Sequence, residues 1–424
     1  MDNKPYLKKV RDQYESYPYP FRDPSQESHR LVEIGIERLD LINFYCFKGA
    51  CDFNQFRVLV AGGGTGDSVI FLAEQLKHTT AEVWYVDISQ ASMAIAKQRA
   101  KQRNLSNINW LHTSLLSLDA NIGKFDYISC TGVLHHLDDP LLGLQTLKNL
   151  LNDNGAMGLM LYGEYGRTGV YQMQQLMKMI NVNENHLANK VINTKKILAN
   201  LPETNWFTHN EKFLVDHING EDNGLVDLLL HEQDRAYSIV DVYQLLEQSA
   251  LKFVEFSDVK MRMSYRPEQY IKDSSLLKVI KQRPIIEQHG IAELLVGAFK
   301  KHEFYAAVST DTKASFTELS NIPFFFPAEH YKNLGNQLAN AILASPNKVI
   351  SMKHSSGFEF DLSASQLNYA IFKNIDGKNT LQIIFEEVRK ELKSEALNNE
   401  QLVTYISQCF KPFIQLDWIL LRAS

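Results

Sequence analysis

The residues best placed to do chemistry stand in two short stretches. Val58 to Asp67 reads VLVAGGGTGD. An apolar run of this kind makes a buried strand. Gly62, Gly63, Gly64 and Gly66 then fall where the chain turns from strand into helix. Glycines there permit a tight turn and let the backbone approach a ligand closely. The first amides of the following helix can meet a polar ligand group. Asp87 ends the next apolar run, VWYVDIS, 21 residues after Gly66. A carboxylate at that strand tip can accept hydrogen bonds from both hydroxyls of a ribose. The glycine turn alone fits NAD, FAD and S-adenosylmethionine sites alike, and a purely structural turn as well. With Asp87 downstream it points to an adenosine-bearing ligand.

Further candidates follow the later strands. WLHTSLLSLD places Ser114 and Leu115 beyond the third strand, and FDYISCTGVLHHLDDP places Thr131, Val133, His135 and His136 beyond the fourth. Tyr162 and Glu164 follow the fifth. His135, His136, Tyr162 and Glu164 are the candidates for proton removal. The alternative for the His pair is that one caps the next helix and the other packs on the ligand. LLLHEQDRAYS gathers His231, Asp234, Arg235 and Tyr237. His-x-x-Asp offers two metal ligands, too few for a centre, so this cluster reads as a buried polar network or as part of an acceptor pocket, and no metal is expected. The lead-in YESYPYPFR places Tyr14, Tyr19 and Arg22 either on a lid facing the site or on a strap packed at the sheet edge.

The elements that must position these residues alternate. Strands are expected at Arg57–Ala61, Glu82–Asp87, Asn107–His112, Phe125–Cys130 and Ala156–Tyr162. Helical spacing runs through 67–77, 89–104 and 140–151. Such alternation implies βαβ units and a parallel sheet. Two late strands, 253–259 and 303–309, are expected to complete that sheet, with a mostly helical cap over about 164–250. Tyr171–Ile180 carries a Met and Leu stripe that reads as a packing face. Residues 312–329 read as a linker, with the run Phe324–Phe326 docking on a surface. In 330–424, two strands at 348–353 and 357–362 precede three helices with starts at Ser363, Asn379 and Asn398. Each start has Gln three residues later, a capping-box pattern. A last strand is expected at Trp418–Leu421.

The ordered motifs over Val58–Gly163 resemble the class I S-adenosylmethionine-dependent methyltransferases. VLHHL followed by DP, and LLNDNGAMGLMLYG with its turn glycine Gly155, carry the later part of that likeness. The resemblance implies a Rossmann-like α/β sheet of seven strands. It implies that Gly62, Gly64 and Gly66 line the methionine part of S-adenosyl-L-methionine and that Asp87 holds the ribose. Ile88 would lie against the adenine, Ser114 and Leu115 at its edge, and Thr131 and Val133 beside the methionine. Two positions depart from the family pattern. Val60 stands where many relatives carry an acid near the cofactor's ammonium, and an Asp common near Ser114 is missing. The Tyr-Pro-rich lead-in is similar to that of a subgroup that includes rickettsial protein-lysine methyltransferases. The terminal module resembles PqqD-like peptide-recognition domains and small winged helices through Leu367-Asn368, Asp376-Gly377, Thr380-Leu381, Ile383 and the final WILL.

These readings give a lid or lead-in over 1–50, a methyltransferase domain over 51–311, a linker over 312–329 and a winged-helix-like module over 330–424. The expected acceptor is a protein or peptide side chain, a lysine amine among the candidates. A small-molecule acceptor, with the terminal module serving dimerisation or regulation, and a non-catalytic cofactor-binding scaffold are the competing classes. Net charge is -5 and pI about 6.2, against binding nucleic acid chiefly through phosphate neutralisation. Residues 330–424 hold ten Lys plus Arg against nine Asp plus Glu, too balanced for a DNA-reading winged helix. The four cysteines form no CxxC pair. With no signal-peptide-like or membrane-spanning run, a cytoplasmic protein is expected.

Overall fold

The computed structural model describes residues 8–210, 214, 216–219, 221–326, 334–345 and 348–424. Seven strands form the main sheet: β1 (Arg57–Ala61), β2 (Glu82–Asp87), β3 (Ile108–His112), β4 (Phe125–Thr131), β5 (Leu151–Tyr162), β6 (Lys252–Phe256) and β7 (Lys301–Ala307). Their order is β3-β2-β1-β4-β5-β7-β6. The first five run parallel, and β7 is antiparallel to β5. The order of the strands reverses between β1 and β4, where an open parallel sheet leaves a crevice at its carboxyl ends. Val58, Leu59, Val60 and Ala61 are almost wholly buried, as a central strand covered on both faces requires.

Local signals set the helices. Gly66, at φ +108°, starts the helix Asp67–Leu76. Ser89 caps Gln90–Gln102 by accepting from Ser92 N at 3.0 Å, and Asp139 caps Pro140–Asn149 by accepting from Leu142 N at 3.0 Å. The late strands join the sheet as expected, but β6 stops at Phe256. Asp258 there accepts from Met261 N at 2.8 Å and turns Val259–Ser264 into a helix. In the cap, Val170, Met173, Phe207, Leu214, Leu228 and Leu229 share one core. The Met stripe is thus a packing face at Met173 and Met177, each 1% exposed.

The chain divides into two compact units. The first comprises 1–37, 52–253 and 264–309, and holds the residues discussed below. The second comprises 38–51, 254–263 and 310–424. Residues 38–51, read from sequence with the lead-in, fall in this second unit. Within it, Ile322–Phe325 of the segment read as a linker is strand β8, paired antiparallel with β11 (Ile419–Arg422). Pro323 carries no amide to donate, which its two-stranded setting tolerates. Pro327 and position 330 lie outside the described residues. Val349–Lys353 and Glu359–Ser363 form the hairpin β9–β10. Ser363 is the end of β10 and not a helix cap; Ser365 caps Gln366–Lys373, and Thr380 in place of Asn379 caps Leu381–Leu392. Asn398 and Gln401 form the capping box expected of them. Arg262 and Asp417, both buried, pair at 2.8 Å. No helix among the described residues is long and apolar enough to cross a membrane.

Candidate functional site

The carboxyl ends of β1, β2 and β4 bring the first group of residues together. Gly64 N donates to Asp87 Oδ2 at 2.7 Å, and Ser89 N donates to Oδ1 at 2.8 Å. Each oxygen keeps a second lone pair, so a vicinal diol can add its two donors to the same carboxylate. Burial raises the Asp87 pKa, opposed by these backbone donors. The glycines stand where the surrounding chain leaves no space for a side chain. A Cβ on Gly62 would sit 2.3 Å from the Val133 side chain, and one on Gly64 would sit 2.9 Å from the Tyr19 carbonyl. Both have positive φ. Thr131, Gly132 and Val133, at the end of β4, and Ile88, after β2, are half-buried. Ser114 and Leu115 are buried, with the Ser114 hydroxyl accepting from Leu116 N at 3.2 Å as a cap.

The lead-in lies over this turn as a strap. The Thr65 hydroxyl donates to Pro20 O at 2.7 Å, and the Ser89 hydroxyl to Tyr14 O at 3.2 Å. Glu15 accepts from Gln90 N and Ala91 N at 2.7 and 3.0 Å, a carboxylate at a helix N-terminus. Arg22, expected to face the ligand, is engaged elsewhere. Its Nε and Nη2 clamp Asp67 at 2.8 and 2.5 Å. Asp67 also takes Arg99 Nη1 at 2.7 Å, and Arg99, 1% exposed, reaches Glu27 at 2.6 Å. The two readings of the lead-in, lid and strap, therefore meet in one segment: its backbone covers the turn while its charges tie it to the helices behind.

Beyond β4 and β5 lies a second group. The Tyr14 hydroxyl donates to Asp227 Oδ1 at 3.1 Å and the Tyr162 hydroxyl to Oδ2 at 3.1 Å. Tyr14 also touches His231 Nε2 at 3.0 Å. Burial, and then the neighbouring Asp227, push the Tyr14 pKa well up, so its proton stays on. Burial keeps His231 neutral, far below its usual pKa. Its Nδ1 accepts from Gln233 N at 3.1 Å, so the single ring proton is on Nε2. A directed chain results, from His231 Nε2–H to Tyr14 O–H to Asp227. His136 Nδ1 stands 2.8 Å from Gln233 O, so it carries the proton and Nε2 keeps the lone pair. His136 stacks on His231 at 3.8 Å.

His136, Asp227 and His231 have ligand atoms within 4.8 Å of one another. The hydrogen bonding nevertheless argues against a metal there. His231 could offer a lone pair only by giving up the Gln233 amide, and both Asp227 oxygens already accept from tyrosines. His135 differs from its neighbour. It is fully buried, stacks on Tyr162 at 4.0 Å, and burial lowers its pKa well below the usual value. Neither of its ring nitrogens finds a hydrogen-bond partner. It is a packed neutral ring. Asp234 pairs with Arg167 at 3.1 Å. Glu164 is exposed and takes no part in these bonds among the described residues. Sequence reasoning missed Asp227, Glu15 and Glu27. The signal for Asp227 was present, a lone carboxylate inside the apolar run Leu225–Leu230.

Residues 59–157 match a family model described as a methyltransferase domain. An uncharacterised protein of Synechococcus sp. is 29% identical over 267 residues, 62% of this chain and 63% of its own length. The tRNA 5-carboxymethoxyuridine methyltransferase of Escherichia coli is 32% identical over 114 residues, 26% of this chain and 42% of that protein. The chain therefore spans less than two thirds of the length of the curated relatives it matches. Among solved structures, PKMT2 from Rickettsia typhi aligns over 93% of this chain and 77% of its own, with a TM-score of 0.60 at 16% identity. The same protein in complex with AdoHcy gives 0.59 at 17% identity, over 93% and 76%. Residues 59–157 are a methyltransferase domain, set in a seven-stranded Rossmann-like sheet.

Proposed function

We propose that this protein transfers the methyl group of S-adenosyl-L-methionine to a protein or peptide side chain, a lysine amine first among the candidates. The observation that carries the reading is the Asp87 carboxylate, fixed by the Gly64 and Ser89 amides with lone pairs left over. Asp87 would hold the ribose, the Gly62–Gly64 backbone the methionine end, and the strap at Tyr14–Pro20 would exclude water. When bound, the cofactor supplies a methyl group already activated by the sulfonium charge. What remains for the chain is alignment, desolvation and, for a protonated acceptor, a place for the proton. His136 Nε2 has the free lone pair for that role. Asp227 lies beside it to stabilise the imidazolium that forms, and His135 serves as packing. An amine entering this chamber loses its proton more readily, because burial disfavours the ammonium.

Two observations support a macromolecular acceptor. The terminal unit is built as a separate compact body, and PKMT2, with its similar fold, aligns over nearly the whole chain. The tRNA methyltransferase matches only a quarter of this chain, so its acceptor bears little on this one. The expected experiment is transfer of labelled methyl from S-adenosyl-L-methionine into a host lysate separated into protein, RNA and small molecules. Label in protein, lost in an Asp87→Ala variant, supports the proposal. Label confined to small molecules overturns the acceptor class, and no transfer together with no cofactor binding overturns the activity.

A further inference from the structure

Glu37 is a buried acid that none of the roles above uses. It ends a short turn at Gly35–Glu37 and is 0% exposed. The Ser129 hydroxyl donates to its Oε1 at 2.5 Å. Its Oε2 is buried and has no hydrogen-bond partner. An unmatched carboxylate oxygen in such surroundings is costly unless a donor or cation completes it. Burial accordingly raises its pKa to about 7, and no cationic side chain is among the groups that act on it.

Its position is under the glycine turn. Ser129 on β4 is the register partner of Val60 on β1, two residues before Gly62. Partners in a parallel pair share a face, so Glu37, Val60 and Ser129 stand together. Ser68, in the first turn of the helix that leaves the glycines, also acts on the carboxylate. The acid is thus bracketed by the strand that enters the turn, the strand beside it and the helix that leaves it. If Asp87 holds the ribose, the amino-acid end of the ligand extends over this turn, and that end carries the ligand's ammonium.

We infer that Glu37, delivered from the lead-in, supplies the counter-charge for the ammonium of the cofactor's methionine end, in place of an acid on β1 where Val60 stands. The inference rests on the cofactor reading above and adds a ligand-binding role to a residue outside the matched domain.

The test is calorimetry with S-adenosylhomocysteine and its deaminated analogue, which keeps the adenosine and the carboxylate. For Glu37→Gln, which retains shape and the Ser129 bond, S-adenosylhomocysteine should bind about tenfold more weakly or worse, as for loss of one charge-assisted contact. The deaminated analogue should bind as it does to the parent. Equal loss on both ligands, or loss on neither, overturns the inference. Failure of the parent to bind either ligand would instead overturn the cofactor reading. Should Glu37→Gln not fold, the parent protein still decides the matter. The groups facing Glu37 are Ser129 and Tyr127 from β4, Ser68 from the helix and Glu303 from β7. The preference for the ammonium-bearing ligand should therefore shrink as pH falls from 8 to 5.5, and a constant preference overturns the inference.

Discussion

Replacing Asp87 by Asn changes few atoms and tests the site closely. Both carboxylate oxygens are engaged by backbone donors, Gly64 N at 2.7 Å and Ser89 N at 2.8 Å. Asn has one acceptor oxygen and one donor amide. Whichever way the side chain flips, an N–H meets an N–H at hydrogen-bond distance. Either the turn at Gly64 or the start of the helix after Ser89 must then give way, leaving a donor unpaired at about 1–3 kcal/mol. The ribose also loses a charged acceptor, worth about 1.5–3 kcal/mol. The first cost falls partly on the free protein, so affinity alone should drop by about 3 kcal/mol, on the order of a hundredfold. Calorimetry with S-adenosylhomocysteine reads this directly, and adenosine as a fragment should lose a similar factor because the contact is to the sugar. Binding by Asp87→Asn within threefold of the parent, with an intact unfolding transition, would refute the assignment of Asp87 to the ribose and the geometry behind it.

Three other substitutions probe the frame around the site. In Gly63→Ala the new Cβ would stand 2.3 Å from the Tyr85 ring, which donates to Gly64 O at 2.7 Å; a loss of about 1–3 kcal/mol is expected in urea unfolding, and an unchanged midpoint contradicts it. Arg99→Met removes a buried guanidinium from Glu27 and Asp67, though Arg103 and Arg22 remain on those acids, so the cost should be about 2–3 kcal/mol, below the usual figure for breaking a buried pair; a melting temperature within a degree of the parent would count against it. His302 is fully buried, accepts from the Tyr265 hydroxyl at 2.7 Å and donates Nε2–H to Tyr237 O at 2.7 Å, and burial lowers its pKa to about 4. The folded state then binds this proton less readily than the unfolded chain, so its contribution is intact above the ordinary value of 6.5 and is lost as pH falls towards about 4, by roughly 3 kcal/mol; His302→Gln should flatten the slope of stability between those pH values, and an unaltered slope would show that the group does not titrate there.

What the sequence carried, and what it withheld, follows from the range of the interactions. The five parallel strands and their helices rest on local pattern: β-branched runs, helical spacing and caps within three residues. The glycine turn and Asp87 were legible for the same reason, since one strand tip and its neighbour set their relation. Even local signals slip by one or two places where residue types repeat. Both Ser363 and Ser365 can cap, and only the pairing of Ser363 with Val349 in the hairpin assigns the role to Ser365. The buried polar chamber is different in kind. Tyr14 and His231 are 217 residues apart, and Tyr14 and Asp227 213; nothing in spacing can pair them. Arg22 stood in the right segment, but its partner Asp67 was hidden in the same way. The physical demand behind these contacts can still be read. A carboxylate inside an apolar run such as Leu225–Leu230, or at the end of the Ile36–Glu37 turn, cannot stay buried and charged without partners. For Asp227 the partners are tyrosines brought from the lead-in and from β5. For Glu37 one oxygen is answered by Ser129 and the other is not, and that imbalance makes a bound cation the most economical completion of the site.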